Sequence, residues 1–205
     1  MTIRLIFPTD RRWQRVCIKV SVGAPPVTRR EAPGKEKEKQ QERERRPFMN
    51  FNNFTIKSQE AVQEAVNLVQ NRGQQAIEPE HLMAGLLKVG ENVTNFIFQK
   101  LGINGQQIET VLDRQIASLP KVSGGEPYLS RDANEVLQKA VEVSKELGDE
   151  YVSLEAILLA LLNVKSTVST MLKDAGLTDK ELRAAIQELR QGQNVTSQSS
   201  EDTYQ

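Results

Sequence analysis

Eleven residues, Ile77-Glu-Pro-Glu-His-Leu-Met-Ala-Gly-Leu-Leu87, return 75 positions later as Val152-Ser-Leu-Glu-Ala-Ile-Leu-Leu-Ala-Leu-Leu162. Each copy is a short polar lead-in followed by a helix that is apolar on nearly every side. Such a helix must be buried on most of its faces. The repetition spreads well beyond these stretches. Ala65/Ala140, Val66/Val141, Gly73/Gly148, Glu80/Glu155, Leu86/Leu161 and Leu87/Leu162 all share the offset of 75, and Gly102/Gly176 and Ile108/Leu182 share 74. A fixed offset over so many positions means internal duplication. Two copies are too few for an open solenoid, so the halves are expected to close on each other around one core.

Each repeat reads as four helices. Thr55 is a candidate N-cap, whose hydroxyl accepts from a free backbone N–H of the first turn. Val62, Ala65, Val66 and Val69 form an apolar stripe at spacings of three and four, and Gly73 closes the helix. Pro79 stands where the first turn of the central helix begins, and that helix runs to about Val89. A third helix covers Val93–Leu101. A fourth follows Asn104, packs through Ile108, Val111, Leu112 and Ile116, and stops before Pro120. Pro120–Pro127 is a linker by composition. Ser130 then stands where Thr55 stood, and Val136, Ala140, Val143 and Leu147 repeat the stripe. Repeat one spans 49–119 and repeat two 128–191. Leu86, Leu87, Leu161 and Leu162 are expected to be buried. The polar segment 192–205 reads as a linker.

The chain is neutral overall, but unevenly so. Residues 1–48 hold 13 Lys/Arg and 6 Asp/Glu, while the remainder holds 14 and 21. The acidic body argues against phosphate-backbone binding, so no nucleic acid is expected. No apolar run approaches the roughly 18 residues that span a membrane. Cys17 is the only cysteine, which excludes an internal disulfide and fits a cytoplasmic setting. Residues 1–48 carry four prolines ahead of the charge run Lys35–Arg46 and read as a disordered basic extension. Their first 30 residues are Arg-rich and acid-poor, as in a transit peptide. The alternative is that Met49 is the true start, which the abrupt onset of patterning after it favours.

The repeated pattern of a Thr/Ser cap, a helix, Gly, Ile/Val-x-x-Glu-His/Ala-Leu/Ile-x-x-Ala/Gly-Leu-Leu and a further Gly resembles the N-terminal repeat domain of the Clp family of AAA+ unfoldases. Glu80-His-Leu-Met-Ala-Gly-Leu-Leu87 is its most specific piece. Within that family, Gly124-Gly-Glu-Pro127 and the tail Val195–Tyr204 are most similar to the ClpB, or disaggregase, branch. The resemblance implies an all-α fold, a pseudo-twofold bundle of eight helices built from two four-helix repeats. It also implies a monomeric module that binds unfolded or aggregated proteins and serves a hexameric AAA+ ring. No Gly-x-x-x-x-Gly-Lys-Ser/Thr phosphate loop occurs in this sequence, so ATP belongs to the motor domains of full-length relatives and no cofactor is expected here. A second reading is the adaptor-docking N-domain of a ClpA/ClpC-type unfoldase.

An enzyme has little to stand on. His81 is the single histidine, and with no cysteine in the body it cannot assemble a metal centre; a packed structural role suits it. Ser58, Ser130 and Ser153 have no identifiable base. Glu80 and Glu155 open helices, where a carboxylate favours the macrodipole without doing chemistry. The family resemblance places substrate contacts on Thr55, Asp149 and Glu155, with Leu137 and Tyr151 as apolar companions around a groove. These side chains would stay reachable at helix starts. The alternative is that Thr55 and Glu155 only cap helices and Asp149 only ends one.

Overall fold

The computed structural model describes residues 51–122 and 124–203, so the readings of residues 1–48 and of Met49 lie outside the described residues. Repeat one supplies α1 (Ile56–Asn71), α2 (Pro79–Val89), α3 (Glu91–Leu101) and α4 (Gly105–Ser118). Repeat two supplies α5 (Arg131–Glu146), α6 (Leu154–Asn163), α7 (Thr167–Asp174) and α8 (Asp179–Leu189). The caps are those the sequence announces. Thr55 accepts from Ser58 N–H, Asn104 from Gln107 N–H, and Ser130 from Ala133 N–H. Gly73 and Gly148 end α1 and α5 with φ of +66° and +77°, a conformation that costs glycine nothing.

The halves are joined by exchanged extended segments. β1 (Ala76–Ile77) pairs in parallel with β2 (Tyr128–Leu129), Ala76 opposite Tyr128 and Ile77 opposite Leu129. A second parallel bridge joins Phe54 to Val152. By the 75-residue offset these two pairings are the same contact: the residue before the N-cap of each repeat's first helix pairs with the residue before the N-cap of the other repeat's central helix. Neither repeat can complete this pairing alone, which is the physical reason two copies close into one body.

One core runs through both repeats, and α2 and α6 lie within it. They are not equals. Every residue from Leu154 to Leu162 in α6 is buried, including Leu161 and Leu162. In α2, Leu86 is buried but Leu87 is only half-buried. The expectation of four buried leucines is therefore corrected at Leu87, where the helix faces outward. What α2 gains is a closer crossing. A Cβ placed on Gly85 would lie 2.1 Å from the Ala61 carbonyl oxygen of α1, so only glycine permits that approach, whereas Ala160 occupies the matching position of α6.

The segment expected to be a polar linker, 192–205, does not run free over its described part. Val195 is fully buried and Glu201 nearly so. Ile56 N–H donates to the Gln198 carbonyl at 2.9 Å and Glu150 N–H to the Val195 carbonyl at 2.9 Å. Composition hid this, because a segment that is polar almost throughout can still dock through a few anchoring side chains and its backbone.

Candidate functional site

The residues singled out from the sequence divide sharply once placed. Thr55 precedes α1, Asp149 lies in the loop between α5 and α6, and Glu155 stands in the first turn of α6. The fold brings Asp149 and Glu155 together through a residue that the sequence reading did not select, Arg190 at the end of α8, and Thr55 joins them through Glu201. Its Nη1 donates to Asp149 Oδ2 at 2.8 Å and Oδ1 at 3.1 Å, its Nε to Glu155 Oε1 at 3.1 Å, and its Nη2 to Ser153 Oγ at 2.7 Å. Ser153 Oγ also accepts from Ala156 N–H and so caps α6. The ends of α5 and α8 and the start of α6 are thereby tied by one guanidinium.

The C-terminal segment covers this network. Asp149 Oδ1 accepts from Val195 N–H at 2.9 Å. The Glu201 carboxyl bridges two helix starts: Oε1 accepts from Leu154 N–H at 2.6 Å, and Oε2 lies 2.5 Å from Thr55 Oγ1. Glu155 Oε2 is buried without a hydrogen-bond partner among the described residues. Burial, and then the charge of Glu155, push the Glu201 carboxyl up to about 8. The count of charges explains the direction. One guanidinium faces three carboxyl groups, Asp149, Glu155 and Glu201, in a site closed to water; two are matched by direct contact with Arg190, and the third is cheaper to keep protonated.

Expected reachability is thus corrected. Thr55 and Glu155 are 0% exposed and Asp149 is 8% exposed; Arg190 packs on Asp149 and Glu155, and the tail bonds to Asp149 and Thr55. Leu137 is enclosed in the core and lines no open groove, while Tyr151 is half-buried. A cleft of about 880 Å³ lies elsewhere, between the α3–α4 turn and α7, with Ile103, Ile108, Val111 and Met171 as apolar lining and Gln107 and Lys165 among the polar lining. None of the five residues borders it. Arg190 had one signal in the sequence: two acids of repeat two, Asp149 and Glu155, sit at helix boundaries and need a cation once buried. Val195 and Glu201 had none.

The matching joint of repeat one is built from neutral groups. Gln74 takes the position of Asp149, and its Nε2 donates to the carbonyls of Ile116 at 2.7 Å and Leu119 at 3.3 Å at the end of α4. His81 Nδ1 accepts from Glu78 N–H at 3.0 Å, which places the ring proton on Nε2, 2.9 Å from Gln74 Oε1. Burial, reinforced by Arg72, lowers the His81 pKa to about 4, so the imidazole is neutral and structural. Among the described residues no group of His, Cys, Asp and Glu could hold a metal ion, and no single helix is long and apolar enough to cross a membrane.

An eight-helix bundle of two repeats that trade extended segments defines the class of protein, a helical repeat module. The pattern of the Clp repeat (R) N-terminal domain matches residues 53–175, and the chain belongs to that family. The chaperone protein ClpB of Bacteroides thetaiotaomicron is 80% identical over 157 residues, which are 77% of this chain and 18% of that protein; the chain thus spans about a fifth of its length. The fold is similar to the Hsp104 N-terminal domain from Candida albicans, with a TM-score of 0.65 and 22% identity over 73% of this chain and 99% of that one. It is also similar to a ClpV N-domain solved in complex with a VipB peptide, with a TM-score of 0.57 and 20% identity over 67% of this chain and 86% of that one. With these relatives, the chain corresponds to the N-terminal domain of ClpB-type chaperones.

Proposed function

We propose that this chain is the substrate-recognition module of a ClpB-type disaggregase. It binds unfolded or aggregated polypeptide and passes it to an AAA+ motor, a hexameric ring whose phosphate-loop motif this sequence does not contain. The module acts as a monomer in the cytoplasm, and its own part in the work is binding without chemistry. The observation that supports this reading is the peptide seated at the starts of α1 and α6. Residues 195–201 lie there with backbone groups bonded to Ile56, Asp149 and Glu150, the pattern with which an unfolded segment, offering unpaired N–H and C=O groups, is recognised. Thr55 and Asp149 contact the bound segment, Glu155 holds Arg190, and Tyr151 and Leu137 are the apolar companions this reading assigns to the site.

The test is fluorescence anisotropy with labelled unfolded casein and labelled folded small proteins. Casein is expected to bind and the folded proteins are not. Asp149→Asn is expected to weaken casein binding several-fold, with the melting temperature recorded beside it. Capture of a folded protein without casein binding would replace this reading with the adaptor-docking one.

A further inference from the structure

The segment that covers the site is held by few anchors. Of residues 191–200 only Val195 is buried and Ser200 half-buried; the rest are exposed. Glu201 is the second deep anchor, fixed by Leu154 N–H and Thr55 Oγ1. Between these anchors the segment is attached through its backbone to Ile56, Asp149 and Glu150 and through Gln198 Nε2, which donates to the Asn52 carbonyl at 2.9 Å, and segments whose side chains are mostly exposed open locally without global unfolding. The receiving side is built independently of the tail. Thr55 and Ser153 cap their helices, Arg190 is tied to Asp149, Ser153 and Glu155, and the peptide groups of Ile56, Glu150 and Leu154 point their N–H bonds at the segment. Glu155 Oε2, which meets no described donor while both carboxyls are ionised, stands beside them, and a protonated carboxyl such as that of Glu201, or an amide, on the seated segment supplies the hydrogen.

We propose that the joined starts of α1 and α6 form a binding site for an extended polypeptide segment bearing an apolar side chain and, six residues further on, a glutamic-acid or glutamine side chain, and that Val195–Glu201 fills this site in cis as a displaceable latch. The proposal rests on the peptide-binding reading above and specifies its ligand and its control. The spacing from Val195 to Glu201 is the template. Val195 is buried with its N–H on Asp149, and Glu201 reaches the paired helix starts. An incoming segment must compete with the tail, so affinity for substrate is set by how firmly the tail is held. The groups that face the Glu201 carboxyl are Glu155 of α6, Thr55 before α1 and Leu154 N–H, with Arg190 and Asp149 behind Glu155. A glutamate in a competing segment therefore enters as the neutral acid.

The decisive experiment uses the 205-residue chain, its variants Glu201→Lys, Val195→Asp and Glu201→Gln, a fluorescent peptide copying residues 193–203, and labelled unfolded casein. Glu201→Lys and Val195→Asp are expected to free the tail, to bind the peptide in trans, and to hold casein several-fold more tightly than the unaltered chain, with excess peptide displacing the casein. Glu201→Gln is expected to behave as the unaltered chain. Failure of the peptide to bind either freed variant overturns the proposal, as does unchanged casein affinity in both; casein binding by the unaltered chain would then still stand. Peptide binding without casein binding in any variant upholds the site and removes the unfolded-protein function. Amide exchange in the unaltered chain keeps the question open to refutation if the variants unfold: fast exchange at Ile56 and Glu150 would show the tail undocked.

Discussion

The same joint is built twice in this molecule, once from neutral groups and once from charged ones. In repeat one, Gln74 ties the loop before the central helix to the end of α4 and is backed by a neutral His81. In repeat two, Asp149 ties the matching loop to the end of α8 through Arg190, backed by Glu155. The helices they connect correspond one for one. The fold thus has a crosslink at this point in both repeats and accommodates either chemistry. Function need not be indifferent. The amide joint donates to carbonyls at the end of α4, within its own repeat. The ionic joint leaves Asp149 Oδ1 with capacity for Val195 N–H and presents two helix starts to one more carboxyl.

The largest expected contrast comes from removing the centre of each joint. Arg190→Ala strands two buried carboxylates and is expected to cost about 3–5 kcal/mol in urea unfolding. Gln74→Ala leaves neutral groups unpaired and is expected to cost about 1–3 kcal/mol. Equal losses would mean that the second joint is not a buried ion network.

The two central helices offer the next contrast. Leu161→Ala in the fully enclosed α6 is expected to cost about 2–5 kcal/mol. Leu87→Ala, on the outward side of α2, is expected to cost about 1 kcal/mol, since only part of its apolar surface is removed from water. A loss at Leu87 matching that at Leu161 would show α2 to be as enclosed as α6.

The smallest effect is also the most diagnostic, because the joints should respond to pH with opposite sign. The depressed His81 pKa means that its contribution is present above the ordinary histidine value of 6.5 and is lost as pH falls through about 4. The raised Glu201 pKa means that its contribution is fully present below the ordinary value of 4.5 and is lost as pH rises through about 8. Melting temperature should therefore decline on the acid side through repeat one and on the alkaline side through release of the tail. His81→Gln should flatten only the acid limb and Glu201→Gln only the alkaline limb. A variant that flattens both limbs would refute the assignment of one joint to each.

Much of this architecture was legible because it rests on local rules. Thr55, Asn104 and Ser130 cap where their hydroxyl or amide oxygen meets a free N–H three residues on, and Gly73 and Gly148 end helices where φ turns positive. The half-exposure of Leu87 was not legible, since a run of apolar residues does not say which side a neighbouring helix leaves open. Nor was the closure of the site. Asp149 and Glu155 were found, but their enclosure depends on Arg190 and Glu201, 41 and 46 positions away from them respectively.

The duplication, the eight helices and their caps were written into the sequence, because periodicity and capping are properties of neighbours along the chain. That one repeat locks its joint with an amide and the other with an ion pair, and that a polar tail buries a valine and a glutamic acid over the second, emerged with the packing. The reason is physical. The protonation and burial of Glu201 follow from the low-dielectric surroundings and the charges assembled around it, and those are supplied by residues that only folding brings within reach.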